Sequence, residues 1–433
     1  MLIRNPANDE AVTEVEETQP ASVDELMAAA RDAQRSWAAS PLSERLSALS
    51  RFRNLLAERS EDLAHTLTSE TGKPISQSRN ELAGTLPRID FFLENTAEVM
   101  AGELVTDAAT GTEERITLEP LGVVANISAW NYPWFVGTNV IVPALLTGNT
   151  VIYKPSELAT LTGLAIQELM NDSDVPSGVF TTVVGAGELG SRLVDVGPDG
   201  LFFTGSYGTG RRIAEAYAGH LGVLQLELGG KDPAYVAEDA DPQAAATALA
   251  DGAFYNNGQS CCSVERIYVH ASLHDEFVQA FVAEVEAMKM GDPFSERTYL
   301  GPLTRPAQAG VLTAQVAQAT EMGADVLCGG RQLPGPGTWF EPTVIVGVNH
   351  RMDLMTEESF GPAIGIQVVA DDTAAAALMA DTSYGLTAGV FTPSRERAES
   401  ILDGLEVGSA YWNCCDRVSP TLPWSGRHHS GVG

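Results

Sequence analysis

The feature that most constrains the fold is a repeating alternation of short apolar runs and helix-length stretches. From Leu121 onward the runs GVVANISAW, TVIYKPS, GVFTTVVG, GLFFTGS and VLQLELGG recur every 20–30 residues, with helix-like stretches at 159–170, 188–196 and 209–219 between them. A short apolar run bounded by turn residues reads as a strand buried on both faces. Strands alternating with helices predict a doubly wound parallel sheet. A second set follows Lys231: the strand ERIYVH, then a helix after Ser272 that places Leu273, Phe277, Phe281, Val285 and Met288 on one face. The first 100 residues instead carry helical spacing, with Ser22 as a cap, Leu26, Ala29 and Ala33 on one segment, and Leu46, Leu49, Phe52 and Leu56 on the next. Residues 101–117 are short, alternating and turn-rich, like a hairpin. The chain of 433 residues is long enough for two cores. The expected class is α/β: a helical part over 1–100, a hairpin over 101–117, and two doubly wound α/β domains over 118–230 and 231–433.

Charge narrows the partners. Against 57 acidic residues stand 26 basic ones, a net charge of -31 that repels phosphate backbones and argues against nucleic-acid binding. The basic residues are 22 Arg and only four Lys, at 73, 154, 231 and 289. An acidic soluble enzyme would show this surface. So would a protein adapted to molar salt, where screening shrinks to ~3 Å and self-repulsion fades. Four of the five cysteines form adjacent pairs, Cys261-Cys262 and Cys414-Cys415, a poor set for disulfides, and no Cys/His cluster offers a metal site. The N-terminus lacks the apolar stretch of a signal peptide. The uncharged stretch between Glu119 and Lys154 is broken by Asn126, Asn131, Pro133, Asn139, Pro143 and Asn149, so it reads as buried interior and not as a membrane span. A cytoplasmic protein with no membrane partner is expected.

Several local patterns carry chemistry. Gly185-Ala186-Gly187-Glu188-Leu189-Gly190 fits a dinucleotide glycine pattern, but no acidic residue follows at the distance a ribose ligand needs, and a tight strand-to-helix turn explains it equally well. Phe203-Thr204-Gly205-Ser206 opens a second turn whose hydroxyls and N–H groups suit a pyrophosphate, or simply cap a helix. Cys261, in Asn256-Asn257-Gly258-Gln259-Ser260-Cys261-Cys262, is either a core thiol or, given its polar flank, a reachable nucleophile. Glu227, inside the apolar run Leu226-Glu227-Leu228, must be paired or tuned upward as a general base. Asn131 is a turn former or an oxyanion donor. No His-dependent triad stands out, and His428 and His429 read as solvent-facing.

Taken together and in this order, these stretches resemble the NAD(P)-dependent aldehyde dehydrogenase superfamily over nearly the whole chain. Trp130-Asn131-Tyr132-Pro133 looks like the family's Trp-Asn-Phe-Pro motif. Lys154-Pro155-Ser156-Glu157 is similar to its ribose-binding segment, and Phe203-Thr204-Gly205-Ser206 to its phosphate turn. Leu226-Glu227-Leu228-Gly229-Gly230-Lys231 and Gly258-Gln259-Ser260-Cys261 with Arg266 match its Glu and Cys motifs; Glu357-Glu358-Ser359-Phe360-Gly361-Pro362, Asn413 and Pro423-Trp424-Ser425-Gly426 follow. The resemblance implies Rossmann-like domains, NAD binding over 118–230, catalysis over 231–433 and a bridging hairpin at 101–117. It implies Cys261 as nucleophile, Asn131 with the Cys261 N–H as oxyanion donors, and Glu227 as the base that activates water on a thioacyl-enzyme. It further implies contacts of the cofactor with Trp130, Lys154, Ser156, Glu157, Gly205, Ser206, Leu228, Glu358 and Phe360. Glu157 at the ribose favours NAD, with NADP possible.

Two departures stand out. Val140 occupies a position where many members carry Lys, and His428 another. Members usually begin with a further N-terminal strand and continue past Ser430-Gly431 into a tail that pairs with a neighbouring subunit. A chain stopping at Gly433 would leave the 101–117 hairpin without that partner, so a weakened homo-oligomer is expected, measurable as a gel-filtration mass below that of a stable tetramer. Two alternatives to a hydrolytic enzyme are a CoA-acylating semialdehyde dehydrogenase, which generally lacks the base Glu, and a catalytically silent relative. Tyr132, Trp134, Phe135 and Trp412 are candidates for an aromatic substrate tunnel, or core residues. Arg417 is a candidate carboxylate ligand, or a solvated surface residue.

Overall fold

A computed structural model describes residues 1–106, 109 and 111–433. The chain opens with an antiparallel pair, β1 (Leu2–Arg4) and β2 (Ala11–Glu14), followed by four helices: α1 (Val23–Ala39), α2 (Leu42–Glu58), α3 (Ser60–Thr71) and α4 (Ile75–Val99). The expectation of helix throughout 1–100 therefore missed the first pair. The reason is physical: only Ile3 of its residues is buried and all of β2 is exposed, so it carries no apolar period to detect. Ser22 does precede α1, but its hydroxyl donates to the Gln19 carbonyl (2.8 Å) instead of accepting from the helix. β3 (Glu103–Thr106) and β4 (Glu114–Ile116) pair antiparallel and expose Leu104, Val105 and Ile116. Residues 107, 108 and 110 of the expected 101–117 hairpin lie outside the described residues.

Then the α/β alternation begins: β5 (Val123–Ile127), α5 (Pro133–Leu146), β6 (Thr150–Lys154), α6 (Thr160–Asp172), β7 (Phe180–Thr182), α7 (Gly187–Asp195), β8 (Gly200–Thr204), α8 (Tyr207–Tyr217) and β9 (Val223–Glu227). The strands run parallel in the order β7-β6-β5-β8-β9. Every residue of β5 and β6 is buried, as a sheet covered on both faces requires. Glu70 of α3 reaches the start of α6, where its carboxylate accepts from the Leu161 and Thr162 N–H groups (both 2.7 Å). A buried carboxylate at a helix N-terminus satisfies two otherwise orphaned donors, and it ties the helical part to the sheet.

The second unit comprises β10 (Asp232–Val236), α9 (Pro242–Phe254), β11 (Val264–His270), α10 (His274–Ala287), α11 (Pro306–Glu321), β12 (Asp325–Cys328), β13 (Thr343–Val346), α12 (Asp353–Thr356), β14 (Ala363–Val369) and α13 (Asp372–Ala380). It continues with β15 (Tyr384–Gly385), β16 (Thr387–Phe391), α14 (Arg395–Leu402), β17 (Ser409–Trp412) and β18 (Arg427–His428). Its sheet has the order β12-β13-β14-β11-β10-β16-β17, parallel except for β12. On α10, Phe277, Phe281 and Val285 are buried, with Leu273 and Met288 packed beside them. β19 (Gly431–Val432) returns to the first sheet and pairs antiparallel with the Glu227 end of β9. The two sheets are therefore laced together by the last residues of the chain.

Candidate active site

In the first sheet the strand order reverses between β5 and β8. In doubly wound sheets such a switch point, at the carboxyl ends of the strands, is where ligands bind. The loops after β5, β6 and β8 open there into a cavity of about 1490 Å³, larger than a single small-molecule pocket of roughly 300–1,000 Å³. Its opposite wall comes from the second unit: Cys261 just before β11, and Glu358 and Phe360 before β14. The residues that the resemblance implies for catalysis and for the cofactor, Asn131, Glu227 and Cys261 with Trp130, Lys154, Ser156, Glu157, Gly205, Ser206, Leu228, Glu358 and Phe360, line this one cavity.

The segment before Cys261 explains its own sequence. Asn256, Asn257 and Gly258 all have left-handed backbones (φ 52°, 60° and 66°), a conformation that Gly and Asn enter most easily. A Cβ on Gly258 would lie 2.5 Å from the Gly361 carbonyl. Side-chain amides hold the turn: Asn256 Nδ2 donates to the carbonyls of Asn131 and Gln259 (both 3.2 Å), Asn257 Nδ2 to Gly301 O (2.6 Å), and Gln259 Oε1 accepts from the Thr304 N–H (2.9 Å). The turn sets two adjacent thiols in different surroundings. Cys261 is partly exposed to the cavity. Cys262 is buried; its thiol donates to Asp416 Oδ1 (3.2 Å), which also accepts from Ser260 Oγ (3.0 Å). The Cys261 side chain, burial and the Asp416 charge push the Cys262 thiol well above the usual range, and burial lifts Asp416 to about 6.

Asn131 is buried, and its Nδ2 donates to Gln259 O (3.0 Å), so its amide is bonded to the cysteine turn itself. Its carbonyl accepts from Lys73 Nζ (2.6 Å). Lys73 is buried, pairs with Glu81 of α4 and lies 3.9 Å from the Tyr132 ring centre. Glu81 also accepts from the Trp134 N–H (2.9 Å). Burial pushes the ammonium down and the carboxyl up, opposed by their mutual attraction. Sequence reasoning passed over this pair. A second buried pair, Lys231 with Glu265 (2.6 Å), was also passed over. Glu265 accepts from the Ser359 and Phe360 N–H groups (2.8 and 2.9 Å) and so holds Phe360 in its left-handed backbone (φ 45°). The signal that could have found both pairs is the scarcity of lysine: Lys73, Lys154 and Lys231 are buried, and only Lys289 is exposed.

Glu227 ends β9. Its Oε1 is reached by Gln225 Nε2 (3.3 Å), while Oε2 is buried with no partner among the described residues. Burial pushes the carboxyl up to about 8. Of the two states the sequence allowed, paired or tuned upward, the structure has the second.

On the other side of the cavity, Lys154 ends β6 and burial lowers its ammonium. Ser156 and Glu157 follow, with Ser156 Oγ donating to Glu157 Oε2 (3.3 Å). Ser206 sits at the N-cap of α8 without capping it: its hydroxyl is bonded to Thr209 Oγ1 (3.2 Å) and not to a backbone N–H. Gly205 admits no side chain, because a Cβ would lie 2.5 Å from the Phe203 ring. Leu228 is buried, and Trp130 meets Phe360 edge-on at 5.6 Å. Glu358 Oε1 accepts from the Gly230 N–H (3.1 Å), and burial together with the Glu265 charge lifts Glu358 to about 8.

The remaining expectations divide. Tyr132 and Phe135 line the cavity, but Trp134 is wholly buried and Trp412 is exposed, its Nε1 donating to Thr392 O (2.8 Å), so neither belongs to an aromatic tunnel. Trp424 and Tyr255 line it instead. Arg417 is exposed and off the cavity. His428 is exposed, whereas His429 stacks on Tyr207 at 3.8 Å. Among the described residues there is no cluster of metal-ligating side chains, and no helix is long and apolar enough to cross a membrane.

Comparison with known proteins identifies the family. The family model described as the aldehyde dehydrogenase family matches residues 1–433. The chain belongs to the aldehyde dehydrogenase family. Among its relatives, a 3,6-anhydro-alpha-L-galactose dehydrogenase of Streptomyces coelicolor is 37% identical over 94% of this chain and 84% of its own length. A betaine aldehyde dehydrogenase of Cereibacter sphaeroides is 34% identical over 99% of this chain and 89% of its own. The crystal structure of a betaine aldehyde dehydrogenase from Staphylococcus aureus in complex with NAD+ superposes with a TM-score of 0.96, at 31% identity, covering 100% of this chain and 88% of that one. As an aldehyde dehydrogenase, the chain folds as two Rossmann-like units around their shared cleft.

Proposed function

We propose that this aldehyde dehydrogenase oxidises an aldehyde to its carboxylic acid with NAD+, or with NADP+, on Cys261. The observation that carries the reading is Glu227: a carboxyl with one buried, unpartnered oxygen, held near pKa 8 in the cavity that also receives Cys261 and Asn131. A scaffold has no use for such a group, and an enzyme that passes its acyl group to a thiol has none either.

The Cys261 thiolate adds to the aldehyde carbon, forming a C–S bond, and the oxyanion is met by the Asn131 amide and the Cys261 N–H. A nicotinamide held in this cavity would supply the acceptor for the hydride that must leave that carbon. The thioester left on Cys261 is then opened by water. Glu227 takes one proton from the water as its oxygen bonds to the acyl carbon; the C–S bond breaks and the thiolate is restored. The residues fit a dinucleotide: Ser206 leaves the first N–H groups of α8 uncapped for a pyrophosphate, and Lys154 and Glu157 offer a donor and an acceptor for a ribose. Glu157 beside a 2′-phosphate would repel it, which favours NAD.

We assign residues 118–230 with the helical part over 1–100 to the cofactor, and 231–433 to the nucleophile, with 101–117 as a bridging hairpin. The compartment we assign is the cytoplasm, supported by five free cysteines, and the habitat concentrated salt, supported by the charge of -31 and the Arg-for-Lys bias. The test is NADH formation in molar KCl across apolar, amino- and carboxylated aldehydes, with NAD+ or NADP+, with and without CoA, beside Cys261→Ala. Turnover without CoA that vanishes in the variant supports the reading. Turnover that requires CoA, or that survives the loss of Cys261, overturns it.

A further inference from the structure

Three buried arginines have no carboxylate partner among the described residues: Arg45, Arg88 and Arg266. Arg45 and Arg266 lie away from the cavity, and their donors go to backbone carbonyls, with the Tyr268 hydroxyl as one further acceptor for Arg266. Arg88, on α4, is different. It is 7% exposed and lines the cavity with Phe135, Asn139 and Trp424. Its Nε donates to Asn139 Oδ1 (2.8 Å) and its Nη1 to the carbonyls of Pro420 and Leu422 (2.6 and 3.3 Å). Its Nη2 has no acceptor among the described residues. The bond from Nε also fixes the Asn139 amide with its oxygen toward the guanidinium, which leaves Nδ2 of this cavity-lining residue without an acceptor among the described residues. Burying an uncompensated positive charge is unfavourable unless something pairs with it. Two carboxylates of the cavity are already engaged elsewhere, Glu81 with Lys73 and Asp416 with Ser260 and Cys262.

We infer that Arg88 and Asn139 form an anion subsite, and that the substrate is an aldehyde bearing a carboxylate at its far end, an ω-oxo acid. This rests on the proposed aldehyde oxidation and names its substrate class. The free Nη2 of the guanidinium and the adjacent Asn139 amide nitrogen can each donate to one oxygen of a carboxylate, with the guanidinium charge assisting both bonds. The net charge of -31 gives no long-range attraction for an anion, so selectivity must come from this local contact, and it persists in salt that screens the surface.

The experiment compares kcat/KM for ω-oxo acids of three to about six carbons with branched aldehydes of the same shape, in which an isopropyl group replaces the carboxylate. For the best chain length the acid should be preferred by roughly 10- to 100-fold, the range of a charged hydrogen-bonded pair. Arg88→Met should erase that preference, chiefly through KM, and leave the neutral aldehyde within about threefold. Arg88→Lys should restore part of it. Asn139→Ala, which leaves the guanidinium's bonds to Pro420 and Leu422 in place, should reduce it severalfold. Calorimetric binding of the matching dicarboxylate product to the enzyme–NADH complex should weaken in parallel. Equal use of acid and neutral aldehyde by the wild type overturns the inference, as does an equal loss for both substrates in Arg88→Met. If Arg88→Met does not fold, the wild-type preference and Asn139→Ala decide. Full turnover of neutral aldehydes without preference sinks this inference alone; no turnover of any aldehyde sinks the function with it.

Discussion

Glu227 makes the sharpest quantitative demand. A free glutamate titrates near 4.5, and this one is pushed up to about 8 by burial, with only Gln225 favouring the charged form. A base works only when unprotonated, so about a tenth of the enzyme is competent at pH 7 and about nine-tenths at pH 9, and thioester hydrolysis should quicken about tenfold between them. The assay is single-turnover stopped flow, in which NADH appears as the acyl-enzyme forms and acid is released as it hydrolyses. Glu227→Gln should keep the NADH burst but slow the second phase by about 10² to 10⁴ and flatten its pH dependence. Isolating that phase matters because Glu358 is also lifted to about 8 and would colour any steady-state profile through the cofactor. The same shift enters stability. Between about 4.5 and 8 the folded protein holds a proton on Glu227 that the unfolded chain has released. Stability from this group is therefore present below pH 4.5 and is lost as pH rises through 8, by an amount on the order of several kcal/mol. Wild type should fall relative to Glu227→Gln in thermal melts from pH 5 to 9. A hydrolysis rate that is flat from pH 6.5 to 9.5, or one that rises identically in Glu227→Gln, would refute the assignment.

Three other predictions follow from the same site. Cys262→Ala should retain activity within a few fold while Cys261→Ala abolishes it, since Cys261 is partly exposed in the cavity whereas the Cys262 thiol is buried and bonded to Asp416; NADH formation checks both. Asn131→Ala should lower kcat by about 10² to 10³, the usual effect of one lost oxyanion donor, with the protein still folded by circular dichroism. Glu81→Gln should leave the buried Lys73 ammonium unpaired and destabilise the protein by roughly 3–5 kcal/mol in denaturant unfolding, whereas Arg79→Gln, whose partners Glu61 and Glu296 are all exposed to solvent, should change it little.

Much of this was legible in the linear chain because the signals are local. A strand buried on both faces must be apolar, as β5 and β6 are, and a helix packed on one face must repeat at 3.6 residues, as α10 does. Turns that need left-handed backbones call for Asn and Gly, which is why Asn256-Asn257-Gly258 marks the bend before Cys261. Where the local rule is silent, reading failed. β1 and β2 are exposed and carry no period, and Trp134 and Trp412 look alike in sequence though one is in the core and the other in solvent.

The α/β alternation and the acidic composition could be read from residue type and immediate neighbours, and the same local patterns marked Cys261, Glu227 and Asn131 as candidates. Left open until the chain is folded are which of two adjacent thiols is buried against Asp416, and that Lys231 meets Glu265 while Arg88 meets no acid among the described residues. Those outcomes depend on which distant segments supply, or withhold, a charge or a hydrogen bond once water is gone, and no window along the chain contains both partners.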